Sequence, residues 1–253
     1  MRDEAIRIQE TLRIKRFARE VKTHVLLTAP HASSDHIPLD DPCTASITNT
    51  LAYTLRRSGT RVHSVLAHHT RKIADQNRFP GMEKLHCDMW ERLTRYRKRF
   101  PSNALKHVLH IDVHSFTATD EGIKPLGWGT GINLIVTHGD KLQREIAACF
   151  ARSLDAALGS HTTLLGKPLQ ATRVIAMPTL PETLKDDDHN AMIEWSRYHG
   201  AASMLLEIPT VRTSGTFARP VYVTSIPEND IVHALHVSIH KLLNVLSASE
   251  VSA

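Results

Sequence analysis

The chain has 253 residues, of which 42% are hydrophobic, enough apolar material to build the core of one large α/β domain. Its formal charge is +5 and its pI is near 9.2, yet the basic residues are interleaved with 26 acids and aromatics make up only 5%. That pattern argues against a nucleic-acid partner and suits a basic pocket for a small carboxylate. No window approaches the roughly 20 apolar residues of a membrane span, and Cys43, Cys87 and Cys149 form no C-x-x-C pair, so a reducing cytoplasm is the expected compartment and no thiolate zinc site is expected.

In chain order, residues 1–23 mix charges with Ile6, Leu12, Phe17 and Val21, which predicts a peripheral helix and not a signal peptide. Val25-Leu26-Leu27-Thr28-Ala29 predicts a buried strand closed by Pro30, with His31 next. Residues 32–38 form a polar loop carrying Asp35 and His36. A helix over 44–57 follows from Ile47, Leu51 and Leu55, and Gly59 stops it. Arg61 to Ala67 predicts a third strand segment that delivers a dense polar loop, 68–80, containing Arg71, Asp75, Asn77 and Arg78. Loops of this kind are where a scaffold places binding groups. Residues 86–100 predict a basic helix with Trp90, Leu93 and Tyr96 or Arg97 inward.

The stretch His110-Ile111-Asp112-Val113-His114 alternates polar and apolar residues. A strand of period two therefore sets the three polar side chains on one face and leaves His114 at its carboxy-terminal end. Strand ends of that kind bind ligands in open α/β sheets, and imidazole is the commonest metal-binding side chain. The glycines from 122 to 131 lack the order and the preceding strand of a dinucleotide fingerprint. Ile132 to Thr137 predicts a strand, 140–158 a helix stopped by Gly159, 166–188 an irregular segment, and 189–199 a short helix. Met204 to Pro209 predicts an apolar strand with Glu207 inside it. A buried glutamate has to be paired with an arginine, linked to a metal or kept protonated. A helix over 231–246 closes the pattern. Strands alternate with helices, which predicts one α/β domain whose mainly parallel or mixed sheet carries helices on both faces. His31, His114 and Glu207 then share one rim.

Four segments, Pro30-His31-Ala32-Ser33, Arg71-x-x-x-Asp75-x-Asn77-Arg78, Asp112-x-His114-Ser115-Phe116-Thr117 and Leu206-Glu207-Ile208, together resemble the N-formylglutamate amidohydrolase family. That family is similar in plan to the zinc carboxypeptidases. The resemblance implies a phosphorylase/hydrolase-like fold and zinc-dependent cleavage of an amide next to a carboxylate. It implies Zn²⁺ on His31 and His114, with Asp35 preferred as third ligand, then His36, then Asp41. Glu207 is the implied general base and Arg71 the implied oxyanion stabiliser. Asn77 and Arg78 would hold the substrate carboxylate, with Asp75 steadying an arginine, and Asp112 would orient a ligand histidine or the neighbouring loop. Two departures stand out: carboxypeptidases use His-x-x-Glu, whereas position 34 is Ser. In place of an Asn-Glu-Pro-Tyr-like segment the chain has Asp186-Asp187-Asp188-His189-Asn190. Asp112-x-His114 also resembles the Asp-x-His-x-Asp of manganese ureohydrolases, but position 116 is Phe. A small-molecule binding domain without turnover is the non-enzymatic alternative.

Overall fold

The computed structural model describes residues 24–32, 41–67, 88–100, 105, 108–117, 130–137, 141–164, 166–177, 191–215 and 220–247. Strands β1 (His24–Ala29), β2 (Arg61–Leu66), β3 (Val108–Thr117), β4 (Asn133–Thr137), β5 (Arg173–Met177), β6 (Ala202–Gly215) and β7 (Pro220–Thr224) alternate with five helices. These are α1 (Thr44–Arg57), α2 (Asp88–Arg97), α3 (Lys141–Leu158), α4 (Ala191–Tyr198) and α5 (Glu228–Ser247). One seven-stranded sheet runs in the order β2-β1-β3-β6-β4-β5, and β7 pairs with β6. Its β2-β1-β3-β6 half is parallel, β4 and β5 are parallel to each other, and β4 meets β6 antiparallel. The sheet is therefore mixed, as the alternation of elements predicts.

The central strands are buried on both faces because helices cover both. Val25, Leu27, Leu109, Ile111, Val113 and Leu206 pack into the main core with the inner faces of α1, α3 and α5. On the opposite face Leu26 and Val108 join Met89, Trp90, Leu93 and Tyr96 of α2, while Leu205 and Ile135 pack with Ile193 of α4. The expected inward edge of α2 is thus observed, and Arg97 instead lies near His199. Gly59 (φ 86°) and Gly159 (φ 61°) follow α1 and α3 in left-handed backbone, the conformation that makes glycine the stop residue.

Three elements differ from the sequence expectation. The segment 166–188 contains β5, a five-residue strand whose one partner among the described strands is β4; its Val174 and Ile175 are too short a run, among prolines, to stand out. β6 does not end near Pro209 but continues to Gly215, where it forms an antiparallel pair with β7. β3 likewise runs three residues past His114, so that histidine sits at the end of the shorter β1, not of its own strand. The expected N-terminal helix lies outside the described residues. Among the described residues no helix is long and apolar enough to cross a membrane.

Candidate metal centre

His110, Asp112 and His114 of β3 point to the α2/α4 side of the sheet and are all buried. His110 and Asp112 are 0% exposed and His114 is 4% exposed. Parallel register sets Thr28 of β1 beside Asp112 and Glu207 of β6 beside His114. β1 stops at Ala29, and the chain turns through Pro30 to bring His31 against His114, with ring centroids 4.9 Å apart and the rings nearly perpendicular.

Asp41 closes the constellation. Its Oδ2 lies 2.8 Å from His114 Nδ1 and 3.2 Å from His31 Nδ1, and the three side chains offer donor atoms all within 4.8 Å of one another. Local hydrogen bonds hold this carboxylate in place. The Asp41 N–H donates to the His31 carbonyl at 3.1 Å, Thr44 Oγ1 donates to the Asp41 carbonyl at 2.8 Å, and Ser115 Oγ donates to the Pro42 carbonyl at 2.8 Å. The Ser115 N–H reaches Asp41 Oδ2 at 3.4 Å. Cys43, at φ 66°, makes the left-handed turn that leads from Asp41 into α1. A non-glycine residue in that region costs on the order of 1 kcal/mol or more and persists where its surroundings fix it.

The other imidazole nitrogen of His114, Nε2, lies 3.0 Å from Asp112 Oδ2. A carboxylate on the far nitrogen fixes the tautomer of a metal-binding histidine and raises its basicity. Asp112 is thus placed against the imidazole that it is expected to orient.

Charge follows from this crowding. Burial alone would raise the Asp41 carboxyl, but hydrogen bonds from His114 and His31 and their charge outweigh it and hold Asp41 well below the usual carboxylate range. Burial would also raise Asp112, and His114 pulls it down through charge and a hydrogen bond. His114 itself is pushed down by burial, but the charge of Asp112 and bonds to Asp112 and Asp41 carry it well above the ordinary imidazole value. Glu207 behaves differently. Desolvation raises its carboxyl to about 8, the pull of His114 being insufficient to offset burial and the repulsion from Asp41, and its Oε2 is buried without a hydrogen-bond partner among the described residues.

Two imidazoles and one carboxylate are a donor set that zinc accepts while keeping a further position open. The Asp41 oxygen placed between two Nδ1 atoms, and the carboxylate behind His114, fit such an ion. His31, His114 and Glu207 are brought together as the strand pattern predicts. Asp35 and His36, and the loop residues Arg71, Asp75, Asn77 and Arg78, lie outside the described residues. Asp41 ranks last among the candidate third ligands by sequence, after Asp35 and His36. The available signal was its position in the turn just ahead of α1.

No family model matches the chain, and no curated protein matches it. Among solved structures, the metallo-carboxypeptidase from Burkholderia cenocepacia is similar, with a TM-score of 0.52 and 12% identity over 89% of this chain and 58% of that one. The chain shares that protein's fold. It spans less than two thirds of the neighbour's length. Yeast aminopeptidase 1 matches with a TM-score of 0.44 and 12% identity over 85% of this chain and 46% of that one. A pyrrolidone carboxyl peptidase from Thermococcus litoralis matches with a TM-score of 0.44 and 11% identity over 90% of this chain and 96% of that one.

Proposed function

We propose that the chain is a zinc-dependent amidohydrolase that cleaves the amide of an N-acyl amino acid or a related carboxylate-bearing substrate. The observation that carries this reading is the convergence of His31 Nδ1, Asp41 Oδ2 and His114 Nδ1 beside the buried Oε2 of Glu207, which has no hydrogen-bond partner among the described residues. Zinc on those three residues would supply Lewis-acid polarisation of a carbonyl and a lowered pKa for water in its open position.

The chain's own residues do the rest. Glu207 takes a proton from the attacking water and passes it to the leaving amine nitrogen, which matches a carboxyl that burial keeps poised near neutrality. A nearby cation would lower its pKa and favour the ionised, proton-accepting form. Asp112 holds His114 with Nδ1 turned toward the site. Arg71 is assigned the developing oxyanion, and Asn77 and Arg78 the substrate carboxylate, steadied by Asp75. Those four roles rest on the sequence motif and on the match between a planar guanidinium and a carboxylate. The N-formylglutamate-type substrate rests on the same motif, and the fold likeness to a peptidase is compatible with amide cleavage.

The test has two arms. Metal analysis of the purified protein is expected to give one zinc per chain. Two manganese ions would favour a ureohydrolase instead, and no retained metal a binding domain. Hydrolysis is then compared for N-acyl amino acids and their C-terminal amides, in the wild type and in Arg78→Lys. The free acid should be preferred and Arg78→Lys should lose kcat/KM only on it. Equal wild-type rates on acid and amide would refute carboxylate recognition.

A further inference from the structure

Behind His114 the buried polar residues continue past Asp112 in an unbroken line. Thr28 Oγ1 donates a hydrogen bond to Asp112 Oδ1 and also lies 2.7 Å from His110 Nε2. All three side chains, Thr28, His110 and Asp112, are 0% exposed, so water is not available to replace a missing partner. They come from adjacent strands whose register sets Thr28 beside Asp112 and Leu26 beside His110.

Counting protons fixes the direction of every bond. Asp112 as a carboxylate only accepts, and a threonine hydroxyl has one proton to give. If that proton goes to Asp112, Thr28 Oγ1 must accept from His110, which places the His110 proton on Nε2. His110 Nδ1 is then a bare acceptor, in keeping with its lack of a hydrogen-bond partner among the described residues. Burial pushes His110 down to about 4, so it is neutral near pH 7 and carries the single ring proton this arrangement requires. The second Asp112 oxygen receives His114 Nε2–H, which turns Nδ1 of His114 toward His31 and Asp41.

We infer that Thr28 and His110 are positioning residues of the metal centre: the chain His110 Nε2–H to Thr28 O–H to Asp112 fixes the carboxylate that sets the tautomer and orientation of His114. The inference rests on the metal-site reading above and extends it two residues further into the sheet. Neither residue touches substrate or metal. A purely structural polar cluster would affect stability alone, whereas this one also sets how strongly the site holds a cation.

Zinc affinity measured by competition with a chromophoric chelator, on the full chain, separates the two roles. Thr28→Val keeps the shape and removes the hydroxyl, and is expected to weaken zinc binding about tenfold, the scale seen when the partners of metal ligands are removed. Thr28→Ser restores the hydroxyl and is expected to bind within about twofold of wild type by the same argument. Long-range ¹H–¹⁵N imidazole spectra of the wild type should place the His110 proton on Nε2. Wild-type zinc affinity in Thr28→Val overturns the inference, and so does a His110 proton on Nδ1. If Thr28→Val does not fold, the wild-type His110 spectrum and the Thr28→Ser affinity decide. A wild type that binds no zinc refutes the metal-site reading instead, and the His110 spectrum of that metal-free protein still tests the hydrogen-bond chain.

Discussion

Glu207→Gln separates the two consequences of burying a carboxyl beside the metal centre. In the metal-free protein the Glu207 carboxyl is raised from 4.5 to about 8, chiefly by desolvation. Below pH 4.5 the group is protonated in both folded and unfolded chains and has no effect on the balance between them. Above it the unfolded chain ionises first, so the fold loses about 1.4 kcal/mol per pH unit until the folded carboxyl ionises in turn. At pH 7 the accumulated loss is about 3 kcal/mol. Glutamine has the same shape and no ionisation, so Glu207→Gln should escape this loss. Any cost of burying its amide is constant with pH. Urea unfolding of both chelator-treated proteins at pH 5, 6 and 7 should therefore show the variant gaining on the wild type as pH rises. The same substitution should lower kcat by about 10² to 10⁴ on any substrate the wild type cleaves. A stability difference that does not change between pH 5 and 7 would refute the desolvated carboxyl, and an unchanged kcat would remove Glu207 from the reaction.

Asp41→Asn removes the anion between the two imidazoles while conserving volume, so the protein should fold and lose zinc on dialysis. Parallel metal analysis of Asp35→Asn, expected to retain zinc, distinguishes Asp41 from the acid that the sequence motif favours. Added zinc should raise the thermal midpoint of the wild type, because an ion bound only by the folded state shifts the equilibrium toward it, and Asp41→Asn should lose that rise. Gly131→Ala tests the support of β4, whose Asn133 sits in register with Glu207. A Cβ there would lie 2.5 Å from the Gln170 carbonyl oxygen and 3.1 Å from that of Ala171. Both are backbone atoms that Thr130 helps to hold, through its N–H to Gln170 Oε1 at 3.0 Å and its hydroxyl to the Pro168 carbonyl at 3.2 Å. The variant should lose about 1–3 kcal/mol in urea unfolding; wild-type stability would show that the strap yields freely.

Local pattern determined much of this protein. The alternation in 109–114 is a short-range property of pleated backbone, so it was enough to set His110, Asp112 and His114 on one face and the apolar residues on the other. The stripe of Ile47, Leu51 and Leu55, with Gly59 after it, likewise defined α1. The apolar run around Glu207 marked a buried carboxyl, and the end of β1 marked His31, whereas β3 runs on past His114. Tertiary structure decided what pattern does not encode. β5 gains its place from pairing with β4, and the second half of β6 from pairing with β7, neither of which a short run of residues announces. Which acid lies against the two histidines depends on how the chain returns from His31 to Asp41, and residues ten positions apart in sequence can be related in many ways. The backbone bond from Asp41 to His31, the left-handed turn at Cys43 and the bond from Ser115 to Pro42 select the one that places Oδ2 between the two imidazoles. Thr28 reads in sequence as one more strand residue. Only the register of β1 on β3 sets its hydroxyl against Asp112 and His110, because strand pairing relates residues more than 80 positions apart.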